Sequence, residues 1–197
     1  MKYLVAFYDE ACLCVDEALF DADTQAELYR KCEEYVRTEL CDYSVAGSNH
    51  YKYLECSTKG DKRFSAFCAQ ITINGKTDSI EHFYQNAKRL KSGKIAGKGN
   101  PFDYFICPFC GIKFPPEEVA NLYKGLWIVY YNRHPELVSY AKQFDIFNDM
   151  FKGKSENCQA DVIREIVHNK DNFEKRVRGS LWYKIMSLNL TTKQSWD

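Results

Sequence analysis

The chain has 197 residues and a mass of 23.0 kDa, with 27 basic residues set against 27 acidic ones, so its formal net charge is zero. Hydrophobic residues make up 45% and charged residues 27%, the balance of a globular protein with one good core. That balance excludes a disordered tail, a collagen-like rod and a disulfide miniprotein. No apolar run approaches the ~20 residues needed to span a bilayer, so no membrane partner is expected. The apolar start is broken by Asp9 and Glu10, which reads against a secretory signal. Nine scattered cysteines then fit reduced thiols and a cytoplasmic location.

The zero charge conceals an asymmetry. Residues 1–50 hold four basic residues (Lys2, Arg30, Lys31, Arg37) and eleven acids, a net of −7, which leaves +7 on the remainder. A basic body suits an anionic ligand such as a nucleotide, and nucleic acid is not excluded by it. A solvated surface is the plainer alternative.

In chain order, residues 2–8 are apolar and aromatic enough for a buried strand. Asp21 or Asp23 can cap a helix running to about residue 40, with Leu28, Cys32, Tyr35, Val36 and Leu40 on one face. Residues 51–56 read as a further strand. The front section, 1–50, is thus a strand–helix–strand elaboration of a main domain over 51–197. In that domain Ile71 to Ile73 followed by Asn74-Gly75 predicts a strand and a tight hairpin turn. A helix is expected over about 79–90. Gly93, Gly97 and Gly99 then interrupt a lysine-rich stretch. Pro115-Pro116-Glu117-Glu118 opens a helix whose apolar face is Val119, Leu122, Tyr123, Leu126, Trp127 and Tyr130. Pro135 opens another through residue 144, and helices follow around 161–167 and 174–186. The predicted class is α+β and helix-rich.

Chemistry concentrates after the hairpin. On a helix, Glu81, Gln85 and Lys88 share one face, projecting a carboxylate, an amide and an ammonium together. An ordinary solvated stripe has the same spacing. His82 points about 100° away and is expected to pack or bond to backbone. Residues 88–98 hold Lys88, Arg89, Lys91, Lys94 and Lys98 with no acid. Glycine-freed amides and lysines can cradle phosphate, although the phosphate-loop pattern fails because Gly99 follows Lys98. A flexible basic loop is the alternative. Cys107-Pro108-Phe109-Cys110-Gly111 looks like one zinc knuckle. A full site needs two more ligands, for which Cys158 and His168 are lone candidates, and two packed thiols in a turn are the plainer reading. The expectation is no cofactor, with zinc the exception to test.

The order of several blocks carries a resemblance. Arg63-Phe64-Ser65-Ala66-Phe67, then Gly75-Lys76-Thr77, Glu81-His82-Phe83 with Gln85 and Lys88, Asn132-Arg133-His134-Pro135-Glu136-Leu137, and Asn148-Asp149 with Gly153 resemble the NADAR (NAD- and ADP-ribose-associated) family over about residues 51–155. Two positions depart from its pattern: Ala66 replaces an asparagine and Lys152 a tryptophan. Residues 91–116 have no family counterpart and read as an insertion. The resemblance implies a NADAR-like fold and N-glycosidase chemistry on ADP-ribose-like or related ribonucleotides. Glu81 and Asp149 would be its carboxylates, with Lys88 as nucleophile or phosphate ligand. Phe64, Ser65, Phe67 and Gln85 would bind substrate; Lys94 and Lys98, read from the glycine–lysine loop itself and not from the resemblance, would bind its phosphate. A nucleotide-binding protein that sequesters its ligand without turnover is the rival reading. A zinc-stabilised nucleic-acid module is a third. The sequence leaves the oligomeric state open.

Overall fold

The structure, a computed structural model, describes residues 1–149 and 159–179, and the fold is α+β. Lys152, Gly153 and Cys158 lie outside the described residues, as does the predicted helical stretch beyond 179. The chain forms two compact units, the first being Met1–Leu54 with Ala141–Asn148.

In that first unit β1 (Lys2–Asp9) and β2 (Cys14–Asp21) form an antiparallel hairpin, with Lys2 opposite Asp21 and Phe7 opposite Asp16. The turn is made by Asp9, whose Oδ1 accepts the Ala11 and Leu13 amides at 2.9 Å each. β3 (Val45–Glu55) pairs antiparallel with the other edge of β1, and β9 (Ile146–Asn148) borders β3, giving the order β2-β1-β3-β9. Helix α1 (Gln25–Glu39) lays Leu28 and Cys32 against Val5, Phe7, Ala22 and Leu40. Tyr35 stacks on Phe7 at 5.4 Å between ring centroids. Each such fully buried apolar side chain contributes roughly 1.5–3 kcal/mol.

Two expectations are corrected here. The front section is a hairpin, a helix and a third strand, because residues 14–21 pair with β1 despite their three acids. The α1 cap is Thr24, whose Oγ1 accepts the Glu27 amide at 3.1 Å, while the Glu27 carboxylate returns to the Asp23 amide at 3.0 Å. Asp21 is already the last residue of β2. This is a reciprocal cap of the kind that satisfies two otherwise orphaned amides.

The second unit runs Glu55–Tyr140 and resumes at Asp149. β4 (Gln70–Ile73) and β5 (Lys76–Ser79) form the expected hairpin, with Asn74 and Gly75 both at positive φ, 50° and 77°. Those angles match the primed turn that an Asn-Gly pair favours. β5 leads directly into α2 (Ile80–Ala87), whose Ser79 cap accepts the His82 amide at 3.2 Å. The helix is shorter than expected: Lys88 leaves it with extended backbone and opens β6 (Lys88–Arg89). β6 joins β7 (Tyr104–Ile106) and β8 (Lys113–Phe114) in an antiparallel sheet.

A 3-10 turn, Pro116–Glu118, precedes α3 (Val119–Arg133), with α4 (Pro135–Ala141) after it and α5 (Gln159–Gly179) later in the chain. α4 stops earlier than the sequence suggests, and α5 covers the expected 161–167 helix and the described part of the next, with non-helical backbone at Asn169 between them. α3 is the hub, packing against α2, β4 and α5. Its Leu122, Leu126 and Trp127 are fully buried, with Tyr123 and Tyr130 nearly so, as the apolar spacing predicts.

Candidate functional site

The second unit places three predicted side chains in one hydrogen-bonded row. Gln85 Nε2 donates to Glu81 Oε1 at 3.0 Å, and Lys88 Nζ donates to Gln85 Oε1 at 3.2 Å. One helical turn separates Glu81 from Gln85. Lys88 has already left the helix, but its long stem turns back along the same face. The row is locally rigid because α2 is anchored at both ends. Its Ile80 and Glu81 amides donate to the Ala69 and Ala66 carbonyls, at 3.0 and 2.9 Å, and the Lys88 amide closes onto Gln85.

Lys88 is nearly buried, at 8% exposure. Its ammonium lies 3.8 Å from the Tyr84 ring centroid and 5.6 Å from that of Phe102. Burial pulls its pKa below the ordinary lysine value; the Glu81 carboxylate opposes that shift and the Lys98 ammonium adds to it. Burial makes this amine easier to deprotonate than a surface lysine, while the Tyr84 face, which attracts the cation, works in the opposite direction.

Lys98 completes the cluster. The glycine-punctuated stretch folds as a bridged turn, with the Leu90 amide on the Lys94 carbonyl at 2.9 Å, Arg89 bridged to Ile95, and the Ala96 amide on the Lys88 carbonyl at 3.2 Å. Lys94 sits exposed on this turn. Beyond it, Lys98 Nζ comes to 3.7 Å from Glu81 Oε1 and 4.4 Å from the Phe67 ring centroid. Phe67 is 46% exposed, an open aromatic face beside a largely covered carboxylate.

Asp149, half-buried, belongs to the same neighbourhood. The Tyr123 hydroxyl is pushed well above the ordinary tyrosine value, first by burial, then by the charges of Glu81 and Asp149. Both carboxylates therefore act on one phenol, whose ring packs edge-on against Tyr84 at 4.9 Å.

Other predicted residues are placed differently. The Phe64 ring is completely buried between Tyr140, at 6.0 Å, and Tyr131, at 6.3 Å, and offers no open face to a base. It is a core residue that fixes the loop on which Phe67 sits. Ser65 is also fully buried, and its Oγ has no hydrogen-bond partner among the described residues. His82 is exposed, its Nε2 3.5 Å from Asp78 Oδ2. Cys107 is buried and Cys110 half-buried; burial, with the neighbouring Cys110, pushes the Cys107 thiol up to about 12. A thiol so shifted is a poor nucleophile. No group of three or more His, Cys, Asp and Glu side chains arranged for a metal ion occurs among the described residues.

No family model, no curated protein and no solved structure matches the chain.

Three members of the site carried weaker sequence signals. Tyr84 and Tyr123 lie on helix faces that spacing assigns to the core, and Phe102 lies between the lysine-rich stretch and β7. Gln159, at the start of α5, accepts the Ala66 amide at 2.7 Å through its buried Oε1. An amide oxygen from a distant segment thus secures the loop position of Ala66.

Among the described residues no helix is long and apolar enough to cross a membrane.

Proposed function

We propose that the chain is an N-glycosidase that hydrolyses the ribose–nitrogen bond of ADP-ribose-like or related ribonucleotides. The observation that supports this most is the continuous row Glu81–Gln85–Lys88, met by Lys98 and bordered by the open ring of Phe67. Breaking a ribose–nitrogen bond builds positive charge on the sugar ring. Glu81, mostly covered at 15% side-chain exposure and held in place by Gln85, is a preorganised counter-charge for that ring. Asp149 takes the proton of the attacking water, the oxygen bonds to the anomeric carbon, and the bonding pair leaves on the nitrogen, which is protonated from solvent. In the covalent variant the neutral amine of Lys88 attacks first, and water then releases the sugar. Lys98 pairs with phosphate, which frees Glu81 from its ion pair when ligand enters. Phe67 stacks on the base or ribose.

The sequestering reading draws on the same ion pair. Glu81 is neutralised by Lys98 in the free protein, and a ligand that left this pair intact would be held without turnover.

The experiment is product analysis by mass spectrometry after incubating pure protein with ADP-ribose, NAD and a panel of free and conjugated nucleotides. A free base or ribose phosphate released by the wild type establishes the glycosidase. Intact nucleotides that bind and raise the melting temperature establish the sequestering protein. Lys98→Ala is expected to weaken phosphate-bearing ligands about tenfold at low salt, the loss shrinking as salt screens the charge.

A further inference from the structure

The sheet β6-β7-β8 has two faces, and the glycosidase chemistry draws on one of them. Its inner face carries Lys88, Phe105 and Phe114, opposite one another across the strands and all buried. Strand alternation sends their chain neighbours to the outer face. There Ile95, Arg89 and Tyr104 stand opposite one another in one row, and Ile106 and Lys113 form the next. Ile95 is 51% exposed and Lys113 is exposed, so this face is open. Lys113 reaches diagonally across it, placing Nζ 3.8 Å from the Tyr104 ring centroid.

The tight turn between β6 and Ile95 extends the face. The Gly93 amide closes it on the Leu90 carbonyl at 2.8 Å, with Gly93 at φ 85°. A Cβ on Gly93 would stand 3.9 Å from the Tyr104 hydroxyl, so the turn lies beside that ring. Its Lys91 and Lys94 are exposed. Residues 88–114 hold six basic side chains and one acid, a net of +5. That acid, Asp103, accepts the Lys91 backbone amide at 2.8 Å. The Arg89 guanidinium donates to the Asn86 and Lys88 carbonyls, which orient it without neutralising it. Arg89, Lys91, Lys94 and Lys113 make no ion pair among the described residues. Four cations without counter-charge around one ring and one exposed isoleucine call for an anionic partner with flat apolar parts.

We propose that this outer face binds a single-stranded polynucleotide. Such a strand repeats one phosphate and one flat base along its length. The cations take the phosphates, and Tyr104 and Ile95 take the bases. Lys113 leaves the Tyr104 ring for a phosphate as a base takes its place there. A duplex hides its bases and engages the cations alone. An acidic protein brings carboxylates without the repeating flat faces. The inference does not rest on the glycosidase reading, whose row meets this sheet through Lys88 on the inner face.

The test uses the full chain and a fluorescent single-stranded RNA of about 16 nucleotides carrying 4-thiouridine. Log affinity is expected to fall linearly with log salt, with a slope of about −2 to −3, at ~0.7 for each phosphate contacted. The matching duplex and poly-glutamate should each bind about tenfold more weakly or worse, having no base to stack. Lys91→Glu combined with Lys113→Glu should cost more than about tenfold and flatten the slope. Tyr104→Leu should cost about tenfold and leave the slope unchanged, the mark of stacking rather than charge. Ultraviolet cross-links on the wild type should map to the segments holding Tyr104 and Lys113, which decides the matter even if a variant folds poorly. The proposal is overturned if no strand binds at low salt, or if the charge-reversed protein binds as the wild type does. Cross-links at Phe67 in place of Tyr104 would also overturn it, and so would a duplex or poly-glutamate that binds as tightly as the strand.

Discussion

At the scale of single residues the account rests on how burial changes what a side chain can do. Lys88 shows this most clearly. A buried ammonium costs stability wherever it is protonated in the folded chain, because the folded pKa lies below the ordinary lysine value. That cost is fully present below the lowered pKa. It is relieved as pH rises from there toward the unfolded value near ~10.4, since the unfolded chain then holds the extra proton. Replacing Lys88 by methionine, an uncharged side chain one atom shorter, is therefore expected to hold or raise the melting temperature at neutral pH, and to abolish turnover if the covalent route operates. The stability gap between the two proteins should narrow as pH climbs. Thermal denaturation across pH checks both the sign and the trend. Phe64 makes the opposite case. Its ring is fully enclosed, so Phe64→Ala should destabilise the protein by about 3–5 kcal/mol in denaturant unfolding. Weakened ligand affinity in a fully stable Phe64→Ala protein would instead return this ring to the binding site.

At the scale of elements, the loop before the site is as constrained as the helix that carries it. The Gly60 amide donates to the Ser57 carbonyl at 3.1 Å, and Asp61 returns to the Glu55 carbonyl at 3.2 Å. A Cβ on Gly60 would lie 2.0 Å from the Glu55 carbonyl oxygen, so any side chain there displaces backbone. Gly60→Ala is expected to cost roughly 1–3 kcal/mol and to lower activity by moving the loop that carries Phe67. Equilibrium unfolding and turnover measured on the same preparation test this together. The elements also explain what a reader of the sequence can and cannot see. The Asn74-Gly75 hairpin, the α1 face and the α3 face are legible because a local signal, a turn pair or a three–four spacing, coincides with the final burial. β2 is hidden: Asp16, Glu17 and Asp21 interrupt its apolar residues, and only pairing with β1 makes it a strand. The end of α2 is hidden for a similar reason. Lys88 and Arg89 pair with Tyr104 and Phe105, a partner far along the chain that outweighs their helical propensity.

The site was legible to the same extent. Glu81 and Gln85 share a helix face, which spacing alone reports, whereas Lys88 has left the helix and reaches the row through its long side chain. Lys98 and Tyr123 join them only through tertiary folding, and Gln159 reaches Ala66 across 93 residues.

At the scale of the whole molecule the distribution of charge matters more than its sum. Residues 1–50 carry −7 and the remainder +7, with Lys88 and Lys98 gathered beside Glu81. A phosphate-bearing ligand should therefore bind with an affinity that falls steeply as salt rises, whereas the matching nucleoside without phosphate should be nearly indifferent to salt. Titration calorimetry of ADP-ribose and of adenosine over a range of potassium chloride separates the two. Equal salt dependence would remove the lysines from ligand binding.

The central claim is that Glu81 acts on the transition state. The most direct measurement compares wild type with Glu81→Gln, recording turnover of the nucleotide that the product analysis identifies and its dissociation constant on the same protein. The amide keeps the shape and the hydrogen bond to Gln85 but loses the charge. The account predicts a fall in kcat of about a hundredfold or more with Kd changed by no more than a few fold, the pattern of a contact made chiefly in the transition state. Turnover retained in Glu81→Gln, or lost in step with binding, would contradict it.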